Sequence, residues 1–218
     1  MIDANEYRDV ATADVPGAFL HSDMDDETFV VVDGALVDLL IQSNNKYAKY
    51  VHITKQGKKL VFLKLDKALY GTVKAARLFF DNLSGKLSDY GFTSNPYDVC
   101  VMNKMINDKQ CTVAWHVDDL KISHVDSKVV DDLLEYVSSI YGDLSITRGD
   151  RHTYVGMEFY FPGDGTVDVD MSVYLREALE VFLMKLINLY QAQHQITSLI
   201  LIQLPLHSVR SVANSFII

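Results

Sequence analysis

The first part of the chain alternates short apolar runs with polar breaks, and two longer stretches repeat at helical spacing. Residues 11–20 form an apolar run carrying one acid, Asp14. Residues 29–32 are β-branched and aromatic, which predicts a short strand. Leu36, Val37, Leu39, Leu40 and Ile41 favour a short helix within 34–50, and residues 60–65 read as another strand. The best helical pattern covers 71–90. Val73, Ala76, Leu78, Phe79, Phe80, Leu83 and Leu87 recur near a helical period, and Gly91 stands where a C-terminal cap belongs.

Beyond it, residues 98–105 predict a strand and Asn107-Asp108-Lys109 a turn. Residues 111–117 and 120–125 are apolar strands separated only by Asp118-Asp119, the signature of a tight hairpin. Residues 127–141 place Val129, Val130, Leu133, Leu134, Val137 and Ile140 on one side of a helix. A second hairpin is expected from 153–161 and 166–171 around Pro162-Gly163-Asp164-Gly165, and a last helix starts over 174–182. Strands and helices mix without regular βαβ alternation, so the fold class is α+β.

Composition adds a boundary. All 29 acidic residues lie at or before Glu180, whereas Leu, Ile, Gln and Ser accumulate after it. A globular surface needs both signs of charge, so the break predicts a domain over 1–182 and an aberrant or disordered acid-free tail over 183–218. The net charge of −9 counts against a free-standing nucleic-acid binder, because phosphate affinity comes mostly from Lys and Arg. Two cysteines, Cys100 and Cys111, form neither a disulfide framework nor a four-ligand metal site. No signal peptide or membrane span is read, and a reducing intracellular setting is expected.

Asp118-Asp119 is the feature with chemical content. Adjacent carboxylates flanked by apolar strands repel one another, and a divalent cation relieves that repulsion. Asp14 is a third carboxylate on an apolar segment more than a hundred residues earlier. Convergence of Asp14 with the pair is therefore expected if the site is real. On these residues alone, Asp-Asp is equally an ordinary solvated turn, and Asp14 before Val15-Pro16 an ordinary turn residue. His116 and His124 flank the pair, though at no recognised zinc-ligand spacing.

The wider pattern resembles the reverse transcriptase of copia (Ty1-type) retrotransposons. Asp14-Val15-Pro16-Gly17-Ala18-Phe19-Leu20-His21 resembles that family's Asp-Val-x-x-Ala-Phe-Leu-x-Gly. Lys67-Ala68-Leu69-Tyr70-Gly71 with Ala75, Arg77 and Phe79 is similar to its Lys-x-Leu-Tyr-Gly-Leu-Lys-Gln-Ala-Pro-Arg-x-Trp. Gly91-Phe92 followed by Asp98-Val99-Cys100-Val101, then Trp115-His116-Val117-Asp118-Asp119, then Tyr154-Val155-Gly156-Met157-Glu158 complete the series in order, over roughly residues 7 to 182.

The resemblance implies a polymerase palm, an antiparallel sheet packed on helices, with the fingers missing. It implies RNA-directed DNA synthesis in which Asp14, Asp118 and Asp119 hold two Mg²⁺ ions, or Mn²⁺. Phe19 stands where the family's aromatic walls the sugar pocket, and Lys74 and Arg77 stand near the incoming nucleotide and template. His116 sits beside the primer end, and Gly156 and Met157 at the primer-grip turn. An RNA template, a DNA primer and dNTP are the implied partners, with weak nucleic-acid binding by so acidic a fragment. A cytoplasmic particle or the nucleus is the implied location.

His116 replaces the usual Tyr, Lys74 a Gln, Ala76 a Pro and Ser22 a Gly, and the stretch 34–50 is unexpected between these motifs. None of these departures removes an acid. Two alternatives stay open: a non-catalytic palm remnant, and an unrelated α+β binding domain with an acidic turn.

Overall fold

In the computed structural model, which describes residues 1–185, the chain runs α1 (Ile2–Asn5), β1 (Asp9–Asp14), a 3-10 turn (Ala18–His21), β2 (Phe29–Asp33), α2 (Ala35–Ser43), a second 3-10 segment (Asn45–Tyr50), β3 (His52–Ile53), β4 (Lys59–Lys64), α3 (Ala75–Asp89), β5 (Thr93–Ser94), β6 (Val101–Ile106), β7 (Lys109–His116), β8 (Asp119–His124), α4 (Ser127–Tyr141), β9 (Ser145–Arg148), β10 (Arg151–Tyr154), β11 (Met157–Tyr160) and β12 (Asp168–Asp170). The chain divides into two units, Met1–Asp168 and a second that begins at Val169. Within the described residues the second unit is helical over 172–185, which contains the expected final helix. The acid-free tail falls, from residue 186 on, outside the described residues. Among the described residues no helix is long and apolar enough to cross a membrane.

The first unit is mixed α+β, and its sheets are antiparallel. The main sheet has the order β5-β6-β7-β8-β1-β9. A smaller sheet, β2-β4-β3, comes from the segment between the first two sequence motifs, and β10 pairs with β11 as a hairpin.

One apolar cluster joins the main sheet to α3 and α4. Helix α4 buries Val129, Val130, Leu133, Leu134, Val137 and Tyr141, a continuous stripe at helical spacing. Its start is capped by the Asp126 carboxylate, which accepts from the Lys128 N–H (3.0 Å). Helix α3 buries Phe79, Leu83 and Leu87, one turn apart. These stripes meet Ala11, Ala13, Val113, Trp115, Leu120 and Ile122 of the sheet. The alanines of β1 leave room for the helices to approach the backbone closely.

Several elements depart from the sequence pattern for local reasons. Helix α3 begins at Ala75, not 71, because Gly71 takes a left-handed φ of +88° and the Thr72 N–H turns back to the Leu69 carbonyl (3.1 Å). Its end is as expected: Gly91 has φ +95°, and the Phe92 N–H bonds the Leu87 carbonyl (3.0 Å). Within 34–50 the helix stops at Ser43, because Asn44 is extended and its side chain accepts from the Lys46 N–H (3.0 Å). The predicted strand 153–161 is broken at Val155-Gly156, both left-handed (φ +52° and +71°), so the hairpin closes there with Tyr154 opposite Met157. The expected strand 166–171 shrinks to Asp168–Asp170.

The α4 stripe gives a stability test. Leu133 is 1% exposed within the cluster, so Leu133→Ala is expected to cost about 2–5 kcal/mol. Glu135→Ala on the exposed side of the same helix should change stability by no more than about 0.5 kcal/mol. Urea unfolding followed by circular dichroism measures both.

Candidate active site

Register brings the acids together. Strands β1 and β8 pair antiparallel from Asp9 opposite His124 to Asp14 opposite Asp119. Directly opposed residues share a face of the sheet. Ala11 and Ala13 face the helices, so strand alternation turns Thr12 and Asp14 to the other face, and Asp119 with them. Thr12 confirms that direction, since its hydroxyl hydrogen-bonds His152 Nδ1 (3.3 Å) on β10. The His152 Nε2–H donates to the Gly149 carbonyl (2.9 Å), which leaves Nδ1 as the acceptor for Thr12.

The turn differs from the expected one. His116 pairs with Asp119, so the connecting residues are Val117 and Asp118, and Asp119 is already the first residue of β8. Val117 takes φ +57°, a costly conformation for a β-branched residue. The Asp118 carbonyl accepts from the Val15 N–H (3.1 Å), which ties the turn to the chain just beyond Asp14. Two strands ending at one point thus place Asp14, Asp118 and Asp119 at the same end of the sheet.

Their side chains line two cavities. Asp14 and Asp119 share one of about 130 Å³ with Thr12, Ser145, Thr147, Thr153 and Tyr154. Asp118 lines another of about 190 Å³ with Phe19, Leu69 and Tyr70. As the side chains stand, no group of three His, Cys, Asp or Glu among the described residues is arranged to hold a metal ion. The electrostatics nevertheless couple the acids. Burial, and then the carboxylates of Asp118 and Asp119, push the Asp14 carboxyl above its ordinary range. Burial, with Asp119 next, pushes the Tyr154 phenol up to about 12. None of the ion pairs among the described residues involves any of the three acids. An all-oxygen, uncompensated donor set of this kind suits a hard cation such as Mg²⁺.

The other expected site residues are distributed unevenly. Phe19 is only 8% exposed and packs on Tyr70 (ring centroids 5.0 Å) and edge-on to Phe79 (6.3 Å). Lys74 donates to Asp25 (3.0 Å) and Asp26 (2.5 Å), and Arg77 binds Asp81 one turn along the helix (3.0 and 2.8 Å). Neither base lines the cavities of the acids. His116 is exposed opposite Asp119 and lines a separate cavity with Phe80, Cys100 and Trp115. Gly156 lies in the β10–β11 turn and Met157 opens β11; neither lines the acid cavity, though Tyr154, just before the turn, does. His124 is at the far end of β8, opposite Asp9 and 1% exposed, so it shares no site with the acids.

Sequence motifs do not single out Ser145 and Thr147. They reach the site only because β9 pairs beside β1, with Ser145 opposite Asp14 and Thr147 opposite Thr12. Tyr154 and Tyr70 lie inside the motifs, but nothing in spacing marks them as cavity walls.

Asp14 gives a pH test with a definite sign. Its carboxyl pKa is raised in the folded state, so ionising it costs stability. The cost is absent below the ordinary carboxylate range and complete above the raised value. Asp14→Asn should therefore be more stable than the wild type at pH 7 without divalent ions, by roughly 0.2–1 kcal/mol for opposed like charges. The difference should disappear on acidification below the ordinary carboxylate value of 3.8. Urea unfolding at a series of pH values measures it.

Apo telomerase from Candida tropicalis resembles the chain with TM-score 0.43 and 12% identity, covering 76% of this chain and 33% of that one. Telomerase from Candida tropicalis in complex with a TWJ fragment of telomeric RNA gives TM-score 0.43 and 10% identity, covering 76% and 30%. The chain thus spans about a third of the length of these structures. A search of the curated proteins finds no match. The model of the family described as reverse transcriptase (RNA-dependent DNA polymerase), the Ty1/copia type, matches residues 1–195. With that match running over 195 of its 218 residues, the chain belongs to this reverse transcriptase family.

Proposed function

We propose that the first unit is the palm of an RNA-directed DNA polymerase from a copia-type retroelement, and that Asp14, Asp118 and Asp119 are its metal-binding acids. One observation carries the reading: strand register sets Asp14 directly opposite Asp119, with Asp118 in the adjoining turn. Family membership supports the same assignment. Two Mg²⁺ ions, or Mn²⁺, bound there would supply Lewis-acid activation of a primer 3′-hydroxyl and charge neutralisation at the triphosphate of a dNTP.

The chain's own residues do the positioning. The β1–β8 pairing fixes the spacing of Asp14 and Asp119, and the Val15–Asp118 hydrogen bond fixes the turn. Tyr154, with its phenol protonated far above neutral pH, remains a hydrogen-bond donor beside Asp119. Lys74 and Arg77 are the bases assigned to nucleotide and template. Both sit in exposed ion pairs, which are weak enough to be exchanged for a phosphate. His116 is assigned to the primer end, and Gly156 with Met157 to the primer grip. An RNA template and DNA primer are the partners, in an intracellular particle or the nucleus.

A second reading is favoured by those same ion pairs. With Lys74 and Arg77 neutralised by Asp25, Asp26 and Asp81 and a net charge of −9, the chain alone has little with which to grip primer–template. It would then be a non-catalytic palm remnant.

Primer extension on poly(rA)/oligo(dT) with Mg²⁺ or Mn²⁺ separates the two. The catalytic reading expects incorporation that falls at least about 10²-fold in Asp118→Ala and in Asp14→Asn. Incorporation by the wild type no higher than by Asp118→Ala would establish the remnant. Calorimetric titration with Mn²⁺ is the companion measurement. Affinity lost in Asp119→Ala supports the metal site, whereas unchanged weak binding matches a domain with an ordinary acidic turn.

A further inference from the structure

The net charge of −9 conceals one segment of the opposite sign. Residues 44–60 carry Lys46, Lys49, Lys55, Lys58 and Lys59 with no Asp or Glu, interleaved with Tyr47, Tyr50 and His52. In the 3-10 segment Asn45–Tyr50, with three residues per turn, Lys46 and Lys49 stand on one side and Tyr47 and Tyr50 on the next. Lys49 Nζ lies 4.8 Å from the centroid of the Tyr50 ring. Lys55 is exposed in the β3–β4 turn, where the Thr54 hydroxyl accepts from the Lys58 N–H (3.0 Å). Lys46, Lys49 and Lys55 form no ion pair among the described residues.

The small sheet that this segment enters has one covered face and one open face. Val61 is fully buried, and Lys59, on the same face of β4, pairs with Asp38 of α2. The other face carries Val31 opposite Phe62, Phe29 opposite Lys64, and His52 opposite Leu60. Phe29, Val31 and Phe62 are 55%, 51% and 51% exposed, and the His52 ring packs edge-on against Phe62 (centroids 5.7 Å). The two acids beside this face are already engaged, Asp33 by Lys58 and Glu27 by Lys64. His52 and Lys58 belong to both features, so the basic segment and the open face are continuous.

A contiguous exposed apolar face marks an interaction surface, and the lysines beside it select the occupant. Flat side chains on a sheet accept unstacked bases, and uncompensated lysines accept phosphates. A duplex keeps its bases stacked inside, and an acidic protein surface supplies the charge without the bases. We infer that the open face of the small sheet, together with the lysines of residues 44–60, binds a single-stranded nucleic acid. Phe29 and Phe62 take the bases, and Lys46, Lys49 and Lys55 take the phosphates. None of these residues lines the cavities of the acids, so the contact is separate from the metal-binding reading and does not require it.

Fluorescence anisotropy of the full chain with labelled oligo(dT) or oligo(U), in EDTA and over a series of salt concentrations, tests this. Both strands are expected to bind, and more tightly than the same strands annealed into duplex. Phe62→Ala should weaken strand binding about tenfold, the loss of one stacked base, and leave the salt dependence unchanged. The combined variant Lys46→Gln, Lys49→Gln and Lys55→Gln should lower the slope of log affinity against log salt by about 2, at about 0.7 per phosphate contact. Circular dichroism melting of both variants should match the wild type, since all four side chains are exposed. Asp118→Ala should bind the strands as the wild type does. The inference is overturned if the wild type binds no single strand at low salt, if duplex binds as tightly, or if Phe62→Ala changes affinity by less than twofold. It is also overturned if polyglutamate competes as well as an unlabelled oligonucleotide, or if light scattering shows a dimer that Phe62→Ala converts to monomer. A chain that binds the strands but not Mn²⁺ removes the metal reading and leaves this one standing.

Discussion

The antiparallel register of β1 on β8 is the constraint on which the site depends. Side-chain direction alternates along a strand, so slipping the pair by one residue would turn every side chain to the opposite face. In the observed register Ala11, Ala13, Leu120 and Ile122 all enter the apolar cluster under α3 and α4. Asp14 and Asp119 are then obliged to share the other face, whatever their mutual repulsion. Core burial acts over several residues of both strands, whereas the repulsion acts at one pair of residues. Burial therefore sets the register, and the repulsion survives as part of what raises the pKa of Asp14.

What keeps the acids from relaxing apart is the confinement of β1. The strand lies between β8 and β9, its alanines face the helices, and Thr12 is held from the other side by a neutral His152. Burial lowers the His152 pKa, which preserves that neutral, accepting form. The β7–β8 turn is the softer partner. Val117 is forced to a left-handed φ, and the turn is held to the β1 side by the Asp118 carbonyl. Strain at Val117 next to Asp118 thus coincides with the place where the three carboxylates gather, a pairing common at functional sites.

How much of this is legible in the sequence depends on how local the cause is. Helix α4 can be read to its last residue because one strong apolar stripe defines it. The β6–β7 hairpin is equally plain, since Asn107 and Asp108 tolerate the left-handed angles it needs (φ +50° and +58°). The β7–β8 turn lies one residue from where the pattern puts it, because Val117 contradicts turn preferences and only pairing with β1 and β6 enforces its angle. The acids stand out through their motifs, and their convergence is expected from resemblance. Ser145, Thr147 and the burial of Phe19 depend on β9 and α3 docking from distant parts of the chain, which no spacing encodes. The partners of Lys74 lie 49 and 48 residues away, in a loop with no pattern of its own.

The distribution of ion pairs bears on where the chain's excess negative charge acts. Along the small sheet and α3, Lys58, Lys59, Lys64, Lys67, Lys74 and Arg77 each meet an acid, and on the main sheet Arg148 binds both Asp9 and Asp131. Those contacts are mostly exposed, so they hold their partners weakly but cancel the local field. At the end of β1 no such cancellation is seen among the described residues, and the field of Asp118 and Asp119 reaches Asp14 undiminished by a nearby base. A net charge of −9 spread evenly would only oppose polyanions. The three carboxylates gathered at the end of β1, beside an apolar cavity walled by Tyr70 and Phe19, instead define a point that attracts cations and repels free phosphate. A phosphate ligand can approach that point only with its counter-ion.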